Sequence, residues 1–168
     1  MSRAFVKEGD GDDAASLPER PMPAHANYVT ARGLAQLQSR ARALAGRCEA
    51  LRRADAADSE AKQALRVAER DLRYVHAQLE RADLVTPAAH DDEIRFGARV
   101  TLLDNEGKRQ HVRIVGDDEA DAAAGDISWA SPLAKALLGA RAGEVVTWRR
   151  PAGAADIEIV AVSYAAEA

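Results

Sequence analysis

Residues able to perform chemistry are few in this 168-residue chain, and no catalytic set stands out. Its four histidines are scattered: His25, His76, His90 and His111. The single cysteine, Cys48, has no partner for a CxxC pair, and the chain has no glycine-rich phosphate-binding loop. The acidic run 116–121 lacks the spacing and the terminal glutamate of a calcium loop. We therefore predict a protein with no active site of its own and no stably held metal ion.

Charged side chains cluster instead around residues 52–60. Six arginines outnumber one glutamate on the segment that leads to the cluster: Arg32, Arg40, Arg42, Arg47, Arg52 and Arg53 against Glu49. A helix this basic can lie along phosphate groups or along the acidic wall of a channel. The alternative is that its charged face is simply exposed to solvent. The acids Asp55, Asp58 and Glu60 follow. They have a structural explanation, because Asp58 or Ser59 can cap the next helix and acids favour its positive end.

Two segments with a heptad pattern must position this cluster. The first apolar seam alternates steps of three and four residues: Leu34, Leu37, Ala41, Leu44, Cys48 and Leu51. The second seam has the same alternation: Leu65, Ala68, Leu72, Val75, Leu79 and Ala82. Two equal seams around a short polar stretch predict an antiparallel coiled-coil hairpin over residues 29–85, with Thr30 capping its start. Separate helices and a dimeric coiled coil are the alternatives.

The pattern changes after residue 95, where short segments of strand type begin. These segments are 99–103, 110–115, 127–129, 144–149 and 156–164. Ser131 and Pro132 are typical of a helix start, and Gly139 ends that helix. Residues 96–168 are therefore predicted to form a small antiparallel β-sheet domain with one helix, which gives the chain an α+β fold. Residues 86–95 are predicted to be a linker.

Composition excludes several classes of protein. The net charge of −4 argues against a bulk nucleic-acid binder. No apolar run approaches the roughly 20 residues of a membrane span, and one cysteine fits a reducing compartment. We expect a soluble, cytoplasmic protein that does not enter membranes. Residues 1–28 are rich in glycine, proline and charge, and we predict a flexible arm there, with a docking role as the alternative.

The second half of the chain contains motifs that occur together in one protein family. In chain order they are Arg113-Ile114-Val115-Gly116, Asp118-Glu119-Ala120-Asp121, Ile127-Ser128, Ser131-Pro132-Leu133-Ala134-Lys135-Ala136-Leu137-Leu138-Gly139 and Pro151-Ala152-Gly153. In order and spacing they resemble the C-terminal domain of the bacterial Gre transcript-cleavage factors, GreA and GreB. Residues 28–34 resemble, less specifically, the start of that family's first helix. The arm before Asn27 lies outside the family pattern.

The resemblance implies a monomeric transcription elongation factor with a coiled-coil hairpin and an FKBP-like C-terminal domain. That domain would dock on RNA polymerase at the rim of the secondary channel, with Ser131 and Pro132 in the docking contact. DNA would be met as part of the elongation complex. The factor would not be an enzyme itself, because it stimulates the polymerase's own cleavage of backtracked RNA.

The resemblance also implies roles for the charged cluster at the hairpin tip. The tip acids Asp55, Asp58 and Glu60 would help to hold a Mg²⁺ ion shared with the polymerase active site, and no other cofactor is implied. Carboxylate oxygens and water are the ligands that Mg²⁺ prefers. Arg52 and Arg53, beside the tip, are predicted to contact the nascent RNA or the channel wall.

Three departures from the family pattern leave a second hypothesis open. At the tip Ser59 and Glu60 match, but Ala61 stands where the family has Asn, and Ala57 stands where it has an acid. Ala130 stands where members of the family often carry a polar or acidic residue. Each arm looks shorter by one heptad, which is about 10 Å of reach. The second hypothesis is a regulator that occupies the channel without stimulating cleavage. A third, a prolyl isomerase, rests on fold analogy alone.

Overall fold

A helical hairpin and a small sheet domain follow each other along the chain and meet at the open end of the hairpin. The computed structural model describes residues 17–53, 58–86 and 92–164. The hairpin and its flanking strands are β1 (Asn27–Val29), α1 (Ala31–Arg52), α2 (Ser59–Glu80) and β2 (Ala82–Leu84). The sheet domain consists of β3 (Arg99–Asp104), β4 (Arg109–Val115), β5 (Asp126–Ser128), α3 (Pro132–Leu137), β6 (Val145–Arg150) and β7 (Gly153–Ser163).

The predicted heptad seam forms the interface between α1 and α2, which confirms the antiparallel hairpin. Its most buried apolar members are Leu37, Ala41, Cys48, Ala68 and Val75. Cys48 is only 1% exposed, so packing accounts for it. Thr30 caps α1 as predicted, because its side chain accepts a hydrogen bond from the backbone N–H of Gly33.

A strand pair that the sequence analysis missed joins the two ends of the hairpin. β1 runs parallel to β2, with Asn27 opposite Ala82 and Val29 opposite Leu84. The buried Asn27 side chain adds a hydrogen bond of 2.8 Å from Nδ2 to the carbonyl oxygen of Gln78. The chain therefore enters and leaves the hairpin side by side.

Residues 17–26 have no regular secondary structure but lie against α2. The Arg20 guanidinium stands 3.9 Å from the centroid of the Tyr74 ring. Arg81 donates hydrogen bonds to the carbonyl oxygens of Pro23 and His25, at 3.0 and 2.6 Å. Residues 17–28 of the predicted flexible arm thus have defined contacts, because their charged and carbonyl groups find partners on α2. The other part of that arm, residues 1–16, lies outside the described residues.

The sheet of the second domain is mixed, whereas the sequence predicted an antiparallel one. Its strand order is β5-β4-β3-β7-β6. The pairs β3–β4, β3–β7 and β6–β7 are antiparallel, but β4–β5 is parallel. The chain between β4 and β5 contains two 3₁₀ turns, Asp117–Glu119 and Ala122–Ala124. These turns carry the chain back, so that β5 runs in the same direction as β4.

One face of this sheet packs with α3 around a buried apolar core. The core includes residues from the sheet and the helix: Val100, Leu102, Ile114, Leu137 and Ile159. Ile94, in the predicted linker, is fully buried in the same core, and Glu93 forms a β-bridge with Arg141. Residues 92–95 therefore belong to the sheet domain, while residues 87–91 of the predicted linker lie outside the described residues.

Candidate functional site: the hairpin tip and its junction with the sheet domain

The far end of the hairpin presents a short connection between two helix ends. α1 ends at Arg52 and α2 begins at Ser59, with Asp58 as its N-cap. One oxygen of Asp58, Oδ1, accepts hydrogen bonds from the backbone N–H groups of Glu60 and Ala61, at 2.9 and 3.1 Å. Asp58 thus performs the capping role that the sequence allowed for it. The third predicted tip acid, Asp55, lies outside the described residues.

The two described tip acids differ in what their carboxylates already bind. Asp58 and Glu60 are both exposed, but they stand two positions apart at the start of a helix. The Glu60 carboxylate has no hydrogen bond or ion pair within residues 17–53, 58–86 and 92–164. This carboxylate is therefore available to a group outside the chain.

The two predicted RNA-contacting arginines also lie at this end, and both already have acidic partners. Arg52 donates a hydrogen bond of 2.7 Å to Glu69 on α2, and this bond raises the pKa of Arg52. Arg53 lies 3.6 Å from Glu49, one helical turn earlier. Their side chains are 55% and 81% exposed, so each contact can exchange for a phosphate at little energetic cost.

The two predicted docking residues begin α3 on the sheet domain. Ser131 is the N-cap, and its Oγ accepts a hydrogen bond of 3.2 Å from the N–H of Ala134. Pro132 occupies the first turn and is exposed. The helix ends with Gly139 at φ 85°, a conformation that glycine adopts without strain. Pro132 thus offers a rigid apolar surface beside a half-buried hydroxyl.

A buried charged cluster holds the start of α1 against the sheet domain. The Thr30 hydroxyl donates to the Glu119 carboxylate, at 2.7 Å from Oε2. Arg32 donates to Glu119 at 2.8 Å and to Asp126 at 2.6 Å. Arg113 donates twice to Asp126, both at 2.9 Å. Burial raises the pKa of Asp126, and the charge of Arg32 opposes that shift.

A second polar contact holds the other helix against the same turn of the sheet domain. Gln78, on α2, donates a hydrogen bond of 2.6 Å to Asp118. The Tyr74 hydroxyl lies 3.3 Å from Asp118. Burial, and then the charge of Asp118, raise the pKa of Tyr74. Both helices are thus attached through the acidic segment 117–119, so the direction of the hairpin is fixed relative to the sheet.

Two glycines permit this close approach. A Cβ atom on Gly33 would lie 2.5 Å from Oε2 of Glu119. A Cβ atom on Gly116 would lie 2.5 Å from the carbonyl oxygen of Tyr28. The second neighbour is backbone, so it cannot turn aside as a flexible side chain can. The junction therefore requires glycine at position 116.

The sequence analysis identified the residues at the tip but not those at the junction. Acidic residues 117–119 were considered as a metal loop and in part as a family motif, and Arg32 as part of a basic helix and of the family's helix start, but none was assigned to a junction. A local signal was present: three consecutive acids beside a strand that contains Arg113 need buried partners if the segment folds back. Their partners Thr30, Arg32 and Gln78 are far away in the chain, so spacing alone could not identify them.

Comparison with known proteins identifies relatives of this chain, and a family model matches its sheet domain. The family model "Transcription elongation factor, GreA/GreB, C-term" matches residues 89–164. Transcription elongation factor GreB of Neisseria meningitidis serogroup B is 43% identical over 105 residues, which are 61% of this chain and 64% of that protein. Transcription elongation factor GreA of Thioalkalivibrio sulfidiphilus is 46% identical over 96 residues, 55% of this chain and 61% of that protein. The matches thus span slightly under two thirds of these relatives.

Solved structures of similar proteins were also found. GreA factor homolog 1 (Gfh1) of Thermus thermophilus is 27% identical, with a TM-score of 0.39 over 82% of this chain and 99% of that one. The GreA/GreB elongation factor of Nitrosomonas europaea is 20% identical, with a TM-score of 0.40 over 82% and 99%.

The sheet domain, with its acidic turn and its Ser-Pro helix start, is similar to the C-terminal domain of GreA/GreB transcription elongation factors. Residues 89–164 match the family model of the GreA/GreB C-terminal domain, and they follow a helical hairpin, so the chain is similar to factors of the Gre type. Within the described residues, no helix has both the length and the apolar character that crossing a membrane requires.

Proposed function

We propose that this protein is a monomeric, cytoplasmic elongation factor that binds in the secondary channel of RNA polymerase and stimulates cleavage of backtracked RNA. The similarity to the GreA/GreB domain is the observation that carries the proposal, because this domain is attached through Glu119 and Asp118 to a narrow hairpin with an exposed carboxylate, Glu60, at its far end. Each helix has 22 residues, so the hairpin projects about 33 Å. Ser131 and Pro132 are proposed to contact the polymerase.

The chemistry of cleavage belongs to the polymerase, and this chain supplies ligands and position. A second Mg²⁺, when bound in the polymerase active site, would stabilise charge on the reacting oxygens of a phosphodiester. Glu60 can offer a full carboxylate to such an ion. Asp58 can offer one oxygen, because its Oδ1 is occupied by two backbone N–H groups. Arg52 and Arg53 are proposed to contact the phosphates of the displaced RNA.

A transcript-cleavage assay tests this proposal. Stalled and backtracked complexes, with RNA labelled at its 5′ end, are incubated with Mg²⁺ and the protein, and RNA length is followed on a gel. We expect shortened RNA with the wild-type protein and with Glu80→Gln, which changes the same residue type at the base of the hairpin. Glu60→Gln should bind polymerase equally and lose the shortening. Equal shortening by Glu60→Gln and the wild type would contradict the assigned role of Glu60.

A second candidate is a regulator that occupies the channel without stimulating cleavage. It is favoured by the capping of α2, which uses part of the Asp58 carboxylate, and by Ala61 following Glu60. Under this candidate the protein binds polymerase, displaces another channel-binding factor, and leaves RNA length unchanged. Substitutions at Glu60 would then have no effect on any of these readouts.

A further inference from the structure

A cavity lies on the face of the sheet opposite the apolar core. Its volume is about 440 Å³, and it is bounded by side chains of β3, β4, β5 and β7 and by Arg32 of α1. We call it the sheet-face cavity. Val100 and Val112 turn into the core, so their neighbours Arg99, Thr101, His111 and Arg113 project from the other face. The hairpin tip and the start of α3 play no part in it.

One row of side chains crosses the cavity on four adjacent strands. Ser163 stands opposite Arg99, Arg99 opposite Arg113, and Arg113 opposite Asp126. Two arginines directly opposite each other on adjacent strands repel, and such like-charge pairs destabilise a sheet. The charge of Arg99 opposes the rise in the pKa of Asp126, which stands two strands away in this row.

The charges of this row do not balance. Arg32 and Arg113 are matched by the two acids Glu119 and Asp126, with contacts between 2.6 and 3.6 Å. Arg99 is a third cation beside them. It is exposed and makes no ion pair with any residue in the described parts of the chain. Three arginines but one acid, Asp126, line the cavity, so a bound anion would neutralise positive charge there.

Hydrogen-bonding side chains surround Arg99. Thr101 and His111 face each other in the next row, with Thr101 Oγ1 and His111 Nδ1 3.1 Å apart. The Ser163 hydroxyl lies on the other side of Arg99. A guanidinium fork flanked by hydroxyl and imidazole donors matches the oxygens of a phosphate group.

We infer that the sheet-face cavity binds the phosphate groups of a small molecule, with Arg99 as the principal contact and Ser163, Thr101 and His111 as further ligands. The volume is in the range of small-molecule sites, so it holds a diphosphate group and has room for more. Two sources share this chemistry, free pyrophosphate and the phosphate chain of a nucleotide. Either would lie against Arg32, and so would connect the hairpin to the sheet.

Calorimetric titration of the full chain tests this inference without polymerase. Pyrophosphate and ATP are titrated separately in metal-free buffer at low salt, against the wild type, Arg99→Gln and Arg149→Gln. Arg149 is an exposed arginine on β6, outside the cavity, and serves as the matched control. We expect Arg99→Gln to weaken binding by about tenfold or more, since one hydrogen-bonded charge contact is lost. Arg149→Gln should bind as the wild type does.

The two titrants identify the source of the phosphate. Tighter binding of ATP than of pyrophosphate would assign a nucleotide, and the reverse would assign the free ion. Amide resonances of Thr101 and Ser163 should move on titration in either case. The inference is overturned if neither titrant binds, or if Arg149→Gln loses as much affinity as Arg99→Gln. It is also overturned if a short single-stranded RNA binds more tightly than both titrants and depends on Arg99, because the surface would then be a nucleic-acid site.

Discussion

Asp58 illustrates how one side chain can serve both the fold and the proposed function. Its carboxylate caps α2 through Oδ1, and the same group is one of the proposed tip acids. These roles have different chemical requirements, because capping needs an oxygen acceptor whereas an ion needs negative charge. A neutral residue that caps equally well therefore separates them.

Asp58→Asn keeps the cap and removes the charge, while Asp58→Ala removes both. We expect Asp58→Asn to leave the free energy of unfolding within about 0.5 kcal/mol of the wild type and Asp58→Ala to lower it by about 1 kcal/mol. Denaturant titration measures both. If the charge contributes to RNA cleavage, both variants lower the cleavage rate. A full rate for Asp58→Asn would show that Asp58 is only a cap.

Gly116 is a second residue with a precise steric requirement. Gly116→Ala places a methyl group 2.5 Å from the backbone oxygen of Tyr28, so the junction must open or shift. We expect a loss of about 2 kcal/mol in the free energy of unfolding, similar to other overpacked sites. Thermal and denaturant unfolding measure it. Gly46→Ala on α1 is the control, because no atom lies within 4 Å of its Cβ position. This variant should be neutral or stabilising, and a similar loss in both variants would contradict the steric explanation.

At the scale of elements, periodic and local signals made much of the fold predictable. The heptad seams identified both helices, and the Ser-Pro start and Gly139 identified α3. These predictions succeeded because caps and periodicity depend on residues that are close together in the sequence. The parallel pairs β1–β2 and β4–β5 could not be predicted. Three-residue strands have no usable alternation, and their partners depend on how the chain folds back. Glu119, buried by three distant partners, was missed for the same reason, whereas the tip residues were identified through the family resemblance and their roles remain predictions.

The contact of α2 with the acidic turn predicts a dependence of stability on alkaline pH. The pKa of Tyr74 is raised by burial and by Asp118, so its contribution to stability is complete below about pH 10 and is lost as pH rises through the folded-state pKa. Tyr74→Phe has no phenol to ionise. We expect the wild type to lose stability relative to Tyr74→Phe above that pH. Urea unfolding at a series of pH values measures the difference, and parallel curves for the two proteins would contradict the prediction.

At the scale of the whole molecule, a few buried charges determine how the two parts are joined. Glu119 receives bonds from Thr30 and Arg32 and lies 3.6 Å from Arg113, so it connects α1 to the sheet domain. The sheet domain has its own apolar core, and the hairpin has a separate one. Weakening this connection should therefore change the arrangement more than the folding of either part.

Glu119→Gln tests this expectation. The amide keeps the size of the side chain but loses the charge. Its single oxygen can accept fewer of the hydrogen bonds that Thr30 and Arg32 donate to the Glu119 carboxylate. We expect a loss of about 2 kcal/mol in the free energy of unfolding and a broader distribution of shapes in small-angle scattering. Glu106→Gln, in the exposed turn between β3 and β4, should change neither. Unchanged scattering for Glu119→Gln would show that the remaining contacts are sufficient.

Because the chain enters and leaves the hairpin through adjacent strands, the hairpin has a narrow base and a long projecting arm. With an arm of about 33 Å, a tilt of ten degrees at the base displaces the far end by about 6 Å. That displacement is larger than the length of any metal–oxygen bond. The position of Glu60 therefore depends on how firmly Thr30, Glu119 and Gly116 hold the base of the hairpin. A substitution at the base would displace Glu60 even though the tip itself is unchanged.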